Sequence, residues 1–169
     1  RQTVDDQNRV FAPTLWKGPD DLAAECAVKR DGDCVEFRVN VIDDHLAPSA
    51  SKTALYDGDG VELFLDFRGG DIFNMKKVHQ ILISADGRFK GMRDALPDGF
   101  SVKVENTPTG YMIQGGFTLP SPKPDSFGFD VAVDDADQTG KRKTQLVWAG
   151  TKDNHMTPDN FGVVILKTP

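Results

Sequence analysis

Hydrophobic and polar residues alternate along most of this chain, which is the pattern of β-strands with one buried face. In one clear example, Val35, Phe37, Val39 and Val41 are separated by polar residues. Similar alternating or short apolar runs lie at 26–29, 61–66, 80–84, 101–105, 111–119, 127–133, 144–148 and 161–166. Helical periodicity is scarce, because the one candidate segment, 19–25, continues directly into an alternating run.

Turn-forming residues separate these runs at short intervals. They lie at Asp31-Gly32, Asp86-Gly87, Pro97-Asp98-Gly99, Pro108-Thr109-Gly110 and 121–124. Many short strands with frequent turns predict an all-β fold, an antiparallel sandwich of the immunoglobulin or jelly-roll type with roughly nine or ten strands. No internal repeat or linker stands out, so we expect a single domain over residues 1–169.

The composition is that of an ordinary folded protein, and its charge narrows the classes of partner. Of the 169 residues 38% are apolar and 27% charged, with a formal net charge of −6. This balance argues against a nucleic-acid surface, which needs clustered lysine and arginine. The longest basic run, Lys141-Arg142-Lys143, closely follows three aspartates and is therefore balanced locally.

The chain shows no membrane-spanning signal. No apolar run approaches the roughly 18 to 20 residues of a transmembrane helix. The first residue is Arg1 rather than methionine, and no signal peptide is recognisable. We therefore expect no membrane span, and we expect a processed protein or a module cut from a longer one.

The two cysteines flank a predicted hairpin turn. With Asp31 and Gly32 at its tip, Cys26 faces Phe37 across the hairpin and Cys34 faces Lys29. The two sulfur atoms then lie on opposite faces of the sheet, out of reach of a disulfide. The prediction is two free thiols.

The segment from Tyr56 to Asp66 combines an acidic, glycine-rich turn with a strand. Val61, Leu63 and Leu65 point to one face of that strand, and Glu62 points to the other. An aromatic ring at a turn and a carboxylate six residues later suit a sugar, because the ring stacks on a pyranose and the carboxylate accepts hydrogen bonds from hydroxyls. The alternative is a tight hairpin whose acidic residues are merely solvated.

No motif indicates catalysis. The chain lacks a nucleophile elbow, a phosphate-binding glycine loop and metal-spaced histidine pairs. His45, His79 and His155 are far apart, and each is expected to have a surface or structural role. Trp148 ends a predicted strand before a polar loop at 151–160, where its indole either packs in the core or borders a site.

Acidic turns offer oxygen ligands of the kind that Ca²⁺ takes. The candidates lie in three acidic segments: Asp43 and Asp44, Asp57 and Asp59, and Asp134, Asp135 and Asp137, with Asp57, Asp59, Asp134 and Asp135 as the preferred ligands. None of these turns matches the twelve-residue calcium loop. They therefore predict either a structural calcium site or ordinary solvated turns.

Several segments, taken in the order in which they occur along the chain, resemble the family 9 carbohydrate-binding modules and the DOMON-like sandwiches related to them. The central motif is Tyr56-Asp57-Gly58-Asp59-Gly60-Val61-Glu62, and the others lie at 16–22, 39–44, 127–137, 145–148 and 158–166. The resemblance implies a β-sandwich that binds oligo- or polysaccharides without cleaving them. It also implies a monomeric module of a secreted or cell-surface protein, attached to a glycoside hydrolase, polysaccharide lyase or esterase.

The resemblance further implies which residues bind the sugar. Two aromatic rings, Tyr56 and Trp148, would sandwich a terminal sugar, with Glu62, Gln80 and Gln145 as its polar ligands. Tyrosine stands where the family usually has tryptophan, and the strand at 79–84 lacks the usual basic residue. A structural calcium ion and no organic cofactor are expected.

Two other functions remain open from the sequence. DOMON-type domains hold b-type haem between methionine and histidine. The available side chains for that role are Met75, Met92, Met112 and Met156 with His45, His79 and His155. The third possibility is an interaction domain of a multimodular enzyme that binds no glycan.

Overall fold

The computed structural model describes residues 2–4, 9–69, 71, 73–92 and 96–166. Within these residues the chain forms twelve strands and three single 3-10 turns, and it has no helix long and apolar enough to cross a bilayer. The strands are β1 (Gln2–Val4), β2 (Arg9–Phe11), β3 (Leu22–Asp31), β4 (Cys34–Asp43), β5 (Gly60–Asp66), β6 (Val78–Ser84), β7 (Phe89–Gly91), β8 (Ser101–Thr107), β9 (Gly110–Thr118), β10 (Ser126–Asp135), β11 (Thr144–Val147) and β12 (Gly162–Ile165).

The strands form two antiparallel sheets. The first sheet has the order β1-β3-β4-β9-β8, and the second has the order β2-β11-β10-β5-β6-β7, with β12 paired to the other end of β10. This confirms the predicted all-β sandwich. Nine strands have four or more residues, and the three shortest, β1, β2 and β7, have three each. The alternating runs were therefore recognisable from the sequence, whereas these short additions were not.

The main core lies between the two sheets and follows the predicted alternation. Val35, Phe37, Val39 and Val41 of β4 are all buried there, as are the odd-numbered apolar residues of β5. Burial of these side chains is the main favourable term in forming the sandwich. At one end of this core several phenylalanine rings contact one another edge-on or tilted, with centroids 5.3–6.0 Å apart: Phe67, Phe117 and Phe127.

The outer face of the second sheet, which points away from the first sheet, is also covered. Glu62 and Phe64 lie on this face and are only 5% and 2% exposed. A second apolar cluster covers part of it, formed by Phe64, Val78, Ala132, Val147 and Phe161. The sequence pattern predicts one buried face for β5, but connecting loops bury both.

The β3–β4 hairpin differs from its prediction in register. Cys26 pairs with Val39 and Asp31 with Cys34, so the tip is Gly32-Asp33. Gly32 has φ 61°, a left-handed conformation that glycine adopts without steric cost. The predicted Cys26–Phe37 and Cys34–Lys29 pairs are therefore wrong, by two positions. That shift preserves the alternation of faces, and the prediction of two free thiols is confirmed, with Cys26 buried and Cys34 exposed.

Candidate functional site

A pocket of about 460 Å³ opens on the outer face of the second sheet. Its floor is made of sheet residues: Glu62, Phe64, Gln80, Ala132, Gln145 and Val147. Loop residues surround the floor: Tyr56, Met92, Arg142, Thr151, Lys152, Asn154 and His155. Strand alternation explains the floor, because all six residues occupy outward-facing positions of neighbouring strands.

Strand register brings the polar floor residues together. Glu62 pairs with Ala132 on β10, and Asp134, two residues further on, pairs with Gln145 of β11. On the other side of β5, Gln80 pairs with Phe64. Residues separated by up to 83 positions therefore meet on one face of four strands.

The carboxylate of Glu62 is the centre of a hydrogen-bond network. It accepts hydrogen bonds from Nε2 of Gln80 at 2.6 Å and from Nε2 of Gln145 at 3.0 Å. The same Gln145 nitrogen lies 2.7 Å from Oδ1 of Asp134. Because both amide nitrogens donate to carboxylates, the amide oxygens of Gln80 and Gln145 remain as acceptors for a ligand.

Arg142 supplies the cation of the site, a role that the sequence analysis did not assign. Its Nη1 lies 2.9 Å from Oδ1 of Asp134 and 3.5 Å from Oε1 of Glu62. Burial works against its charge, but attraction to these two carboxylates raises the pKa of Arg142 overall. The pKa of Asp134 is raised well above its ordinary value by burial and by the charge of Glu62, against the opposing effect of Arg142. The sequence predicts that nearby aspartates balance the basic run 141–143. In the structure Arg142 forms direct ion pairs with Asp134 and Glu62.

Tyr56 lies in the 3-10 turn Leu55–Asp57 and is half-buried at the pocket. The guanidinium carbon of Arg142 is 5.9 Å from the centroid of its ring and 4.5 Å from that of Phe11. The turn approaches the chain at Ser49 so closely that a Cβ at Gly58 would overlap with the Ser49 backbone. The glycine of the predicted turn is therefore required for the position of Tyr56.

The structure does not bring Trp148 to this pocket. Its ring packs on the core side of the second sheet, 5.9 Å from the ring of Phe129, and it closes over Gly162, where a Cβ would overlap with the indole. The reason is strand alternation: Gln145 and Val147 point to the pocket, so Trp148 points to the core. The residues that line the pocket from this part of the chain instead include Lys152 and His155.

A second acidic group lies beside the pocket. Oxygen atoms of the buried residues Asp43, Asp59 and Asp135 lie within 4.8 Å of one another. Burial raises the pKa of Asp43 to about 8 and that of Asp59 to about 6. Burial likewise raises the pKa of Asp135 to about 6, against the opposing effect of Lys143. Three carboxylates at this spacing repel one another unless protons or a cation intervene.

These residues fit a calcium ion. Among the described residues, no donor makes a hydrogen bond to Oδ2 of Asp43 or to Oδ1 of Asp135, whereas Oδ2 of Asp135 lies 3.0 Å from Nζ of Lys143. Buried carboxylate oxygens without donors are the ligands that Ca²⁺ prefers. Of the acidic candidates from the sequence, Asp43, Asp59 and Asp135 belong to this group. Asp134 instead binds Arg142, which lines the pocket, and Asp57 lies outside the group.

Ion pairs between the dipeptides Asp134-Asp135 and Arg142-Lys143 connect the pocket with the acidic group. Arg142 binds Asp134 on the pocket side, and the next residue, Lys143, lies 3.0 Å from Asp135, the residue after Asp134. The backbone N–H of Lys143 also donates to the carbonyl of Asp135 at 2.6 Å. Lys143 is in addition 2.7 Å from Asp21. Because successive side chains point to opposite faces, the Arg142–Asp134 pair lies on the pocket side and the Lys143–Asp135 pair lies on the side of the acidic group.

Comparison with known protein families identifies the family of this chain. A family model described as "Carbohydrate family 9 binding domain-like" matches residues 2–168. The chain belongs to this family. Its members are non-catalytic binding modules. A comparison with functionally curated proteins gave no match.

Solved structures share the fold of this family 9 domain. A family 9 carbohydrate-binding module from Caldicellulosiruptor kristjanssonii in complex with cellotriose aligns with a TM-score of 0.79 and 22% identity, over 96% of this chain and 81% of that one. The same kind of module in complex with glucose gives 0.78 and 23%, over 96% and 83%. A putative carbohydrate-binding protein from Bacteroides uniformis gives 0.62 and 12%, over 98% and 85%.

Proposed function

We propose that this family 9 domain binds a sugar ring in the pocket formed by Tyr56, Glu62, Gln80, Arg142 and Gln145. One observation carries the proposal: a buried carboxylate, Glu62, is held by two amides and a cation next to an aromatic ring. Such a group recognises hydroxyls by their hydrogen bonds and a pyranose by its apolar face. The role of Trp148 is in our proposal structural rather than ligand-binding.

The polar atoms are held in place before the ligand arrives. Glu62 and Gln145 are bound to each other and to neighbours, so little rotamer freedom is lost on binding. The amide oxygens accept hydrogen bonds from sugar hydroxyls, and Arg142 can donate to a ring or hydroxyl oxygen. Only the surplus over desolvation contributes to affinity, so we expect dissociation constants no tighter than about micromolar, near −8 kcal/mol.

The pocket suits the end of a chain better than its middle. Residues 151–155 border the floor on one side and Tyr56 and Met92 border it elsewhere, around a volume of about 460 Å³. We therefore propose a terminal sugar as the ligand. Glucose and cellotriose, which the similar modules contain, are the first sugars to test.

Isothermal titration against glucose, cellotriose and cellotriose with a chemically reduced end tests this function. We expect one site per chain, binding of both unmodified sugars, and loss of binding when the end is reduced. Equal affinity for both forms of cellotriose would contradict binding of the reducing end. No binding across a wider panel of neutral mono- and oligosaccharides would contradict the sugar-binding function itself and favour an interaction domain.

We also propose that Asp43, Asp59 and Asp135 hold a structural calcium ion. The support is the oxygen-only donor set, the close spacing of the three carboxylates, and Oδ2 of Asp43, which accepts no hydrogen bond from the described residues. When bound, the ion supplies two positive charges that reduce the repulsion among the three carboxylates. Asp59 accepts hydrogen bonds from the backbone N–H groups of Ala47 and Ala136, so it links three segments of the chain around this position.

The family membership supports a targeting role in a larger protein. We propose that the domain is a monomeric module attached to a polysaccharide-degrading enzyme that is secreted or displayed at the cell surface. Such a module increases the effective concentration of its catalytic neighbour on the polysaccharide. Measured release of sugars by the parent protein with and without this domain would test that role.

Haem binding is the second candidate, because Met92 and His155 line the same pocket. The floor opposes it, since Glu62, Gln80 and Gln145 present polar atoms where the face of a porphyrin needs apolar contacts. Addition of haem should therefore give no saturable Soret band with one-to-one stoichiometry. A saturable band that is lost in His155→Ala would favour haem over a sugar.

A further inference from the structure

One border of the pocket is formed by a loop without strand structure. Residues 149–155, here called the loop wall, follow β11 and contribute Thr151, Lys152, Asn154 and His155 to the pocket lining. Within the wall, the N–H of Asn154 donates to the carbonyl of Thr151 at 3.1 Å. Such a local turn does not determine where the whole loop lies over the sheet.

The loop wall is bound to the sheet through the carboxylate of Asp130, which does not line the pocket. Asp130 of β10 is fully buried on the outer face of the second sheet. Its Oδ1 accepts hydrogen bonds from the N–H of Val131 at 2.8 Å and of Ala149 at 3.0 Å. Its Oδ2 accepts from the N–H of Gly150 at 2.6 Å and from Nδ2 of Asn154 at 2.8 Å. Three of these four donors belong to the loop wall.

The contact between the loop wall and the sheet is close and leaves no room for a side chain at residue 150. A Cβ at Gly150 would overlap with Oδ2 of Asp130 and with the side-chain amide of Asn154. Asn154 connects Asp130 with Thr151, because its Nδ2 donates to Asp130 and its Oδ1 accepts a hydrogen bond from the N–H of Thr151 at 2.8 Å. His155, the next residue, lies with its Nδ1 3.1 Å from the carbonyl of Lys152.

We propose that Asp130 is a positioning residue of the sugar site, which holds the loop wall in place and thereby sets the positions of Lys152 and His155 at the pocket. This inference rests on the proposed sugar-binding function. Only a carboxylate fits the role, because four donors converge on two oxygen atoms and neither oxygen can be replaced by a donor. The sequence offers no sign of it, since Asp130 sits within an alternating strand as an ordinary outward-facing polar residue.

Asp130→Asn tests the inference with almost no change in volume. In either orientation its amide nitrogen would face two of the four donors, at least one of them in the loop wall, so the wall should detach while the sandwich stays folded. We expect the dissociation constant for cellotriose to rise about tenfold or more, which corresponds to about 1.4 kcal/mol. Hydrogen exchange measured by mass spectrometry should become faster at 149–155 without sugar, while exchange in β3 and β4 stays as in the wild type.

Two further variants separate positioning from general stability. Ile113→Val, in the core beside the first sheet, provides a destabilised control whose cellotriose affinity should stay unchanged. Gly150→Ala disturbs the same contact from the loop side, because its Cβ would overlap with Asp130, and it should weaken binding as Asp130→Asn does. The test therefore remains decisive if Asp130→Asn fails to fold. The double variant Asp130→Asn with Asn154→Asp restores a carboxylate at the contact and should recover part of the affinity.

The outcomes distinguish this inference from the proposed function. Wild-type protein that binds no sugar overturns the function and the inference resting on it. Wild-type protein that binds cellotriose, with unchanged affinity in Asp130→Asn or, where that variant does not fold, in Gly150→Ala, overturns the positioning role alone. Weakened binding with faster exchange confined to the loop wall supports both.

Discussion

The guanidinium group of Arg142 lies over the ring of Tyr56, 5.9 Å from its centroid. The same group forms the 2.9 Å ion pair with Asp134. One cation therefore orients the aromatic side chain and balances the acidic floor of the pocket, so its removal should change both.

Arg142→Met should weaken cellotriose binding by roughly tenfold or more, because it leaves the buried carboxylates of Glu62 and Asp134 without their cation. Titration calorimetry at pH 7 measures the effect. Arg38→Met is the matched control: Arg38 is exposed on the first sheet, where its Nε donates to Asn40. Unchanged binding in Arg142→Met would remove this residue from the site.

Tyr56→Ala should weaken binding about five- to tenfold, whereas Tyr56→Phe should keep most of the affinity. The reason is that ring stacking contributes about 0.5 to 1.5 kcal/mol and does not need the hydroxyl. Calorimetry with glucose and cellotriose compares the two variants. A loss of equal size in Tyr56→Phe would show that the hydroxyl, not the ring face, contacts the sugar.

Trp148 should matter for stability and not for binding. Trp148→Ala removes a large, partly buried ring that packs on Phe129, and it should lower the free energy of unfolding by about 3 kcal/mol, the lower end of the range for a fully buried ring. Urea denaturation measures this loss. The milder Trp148→Phe should bind cellotriose as the wild type does; a large loss of affinity in this folded variant would return Trp148 to the site.

Calcium should stabilise the protein through the buried aspartates. At a concentration one hundred times its dissociation constant, a ligand of the folded state adds about 2.7 kcal/mol to the free energy of unfolding. Calorimetric melting with calcium and with EGTA should show a rise in Tm for the wild type and for Asp57→Asn, but not for Asp59→Asn. A similar rise in both variants would place the ion elsewhere.

Without divalent cations, stability should fall as the pH rises from about 4 to 8. Burial raises the pKa of Asp43 to about 8, and Asp59 and Asp135 have raised pKa values of about 6. In this window the folded chain therefore keeps protons that the unfolded chain has released, so each increase in pH favours unfolding. Urea titrations at pH 5 and 8 check the sign. Calcium should reduce the difference, because it replaces those protons.

Local alternation explains which parts of the site could be predicted. Side chains on a strand change face at every residue, so Glu62 could be assigned to the outward face from its neighbours alone, whereas Gln80 and Gln145 came from the family resemblance. The same rule already separates Gln145 from Trp148, three residues later. The family resemblance favoured Trp148 as a binding residue, whereas the alternation places its side chain on the face opposite Gln145, as the structure has it.

Long-range pairing explains what could not be predicted. Arg142 precedes β11 in a segment without alternation, and its position depends on how β11 pairs with β10. The acidic group joins Asp43, Asp59 and Asp135 from three distant segments. Neither arrangement is encoded in a short window, and for Arg142 the only available sign was the nearby run of acids and bases.

The paired dipeptides Asp134-Asp135 and Arg142-Lys143 have a consequence for engineering new ligand specificity. A single shift of the chain by one residue at either dipeptide would exchange the roles of both charges and damage two sites together. Variant libraries should therefore leave these four positions constant, and place diversity at Gln80, Met92 and Lys152, whose side chains line the pocket and lie outside these two ion pairs.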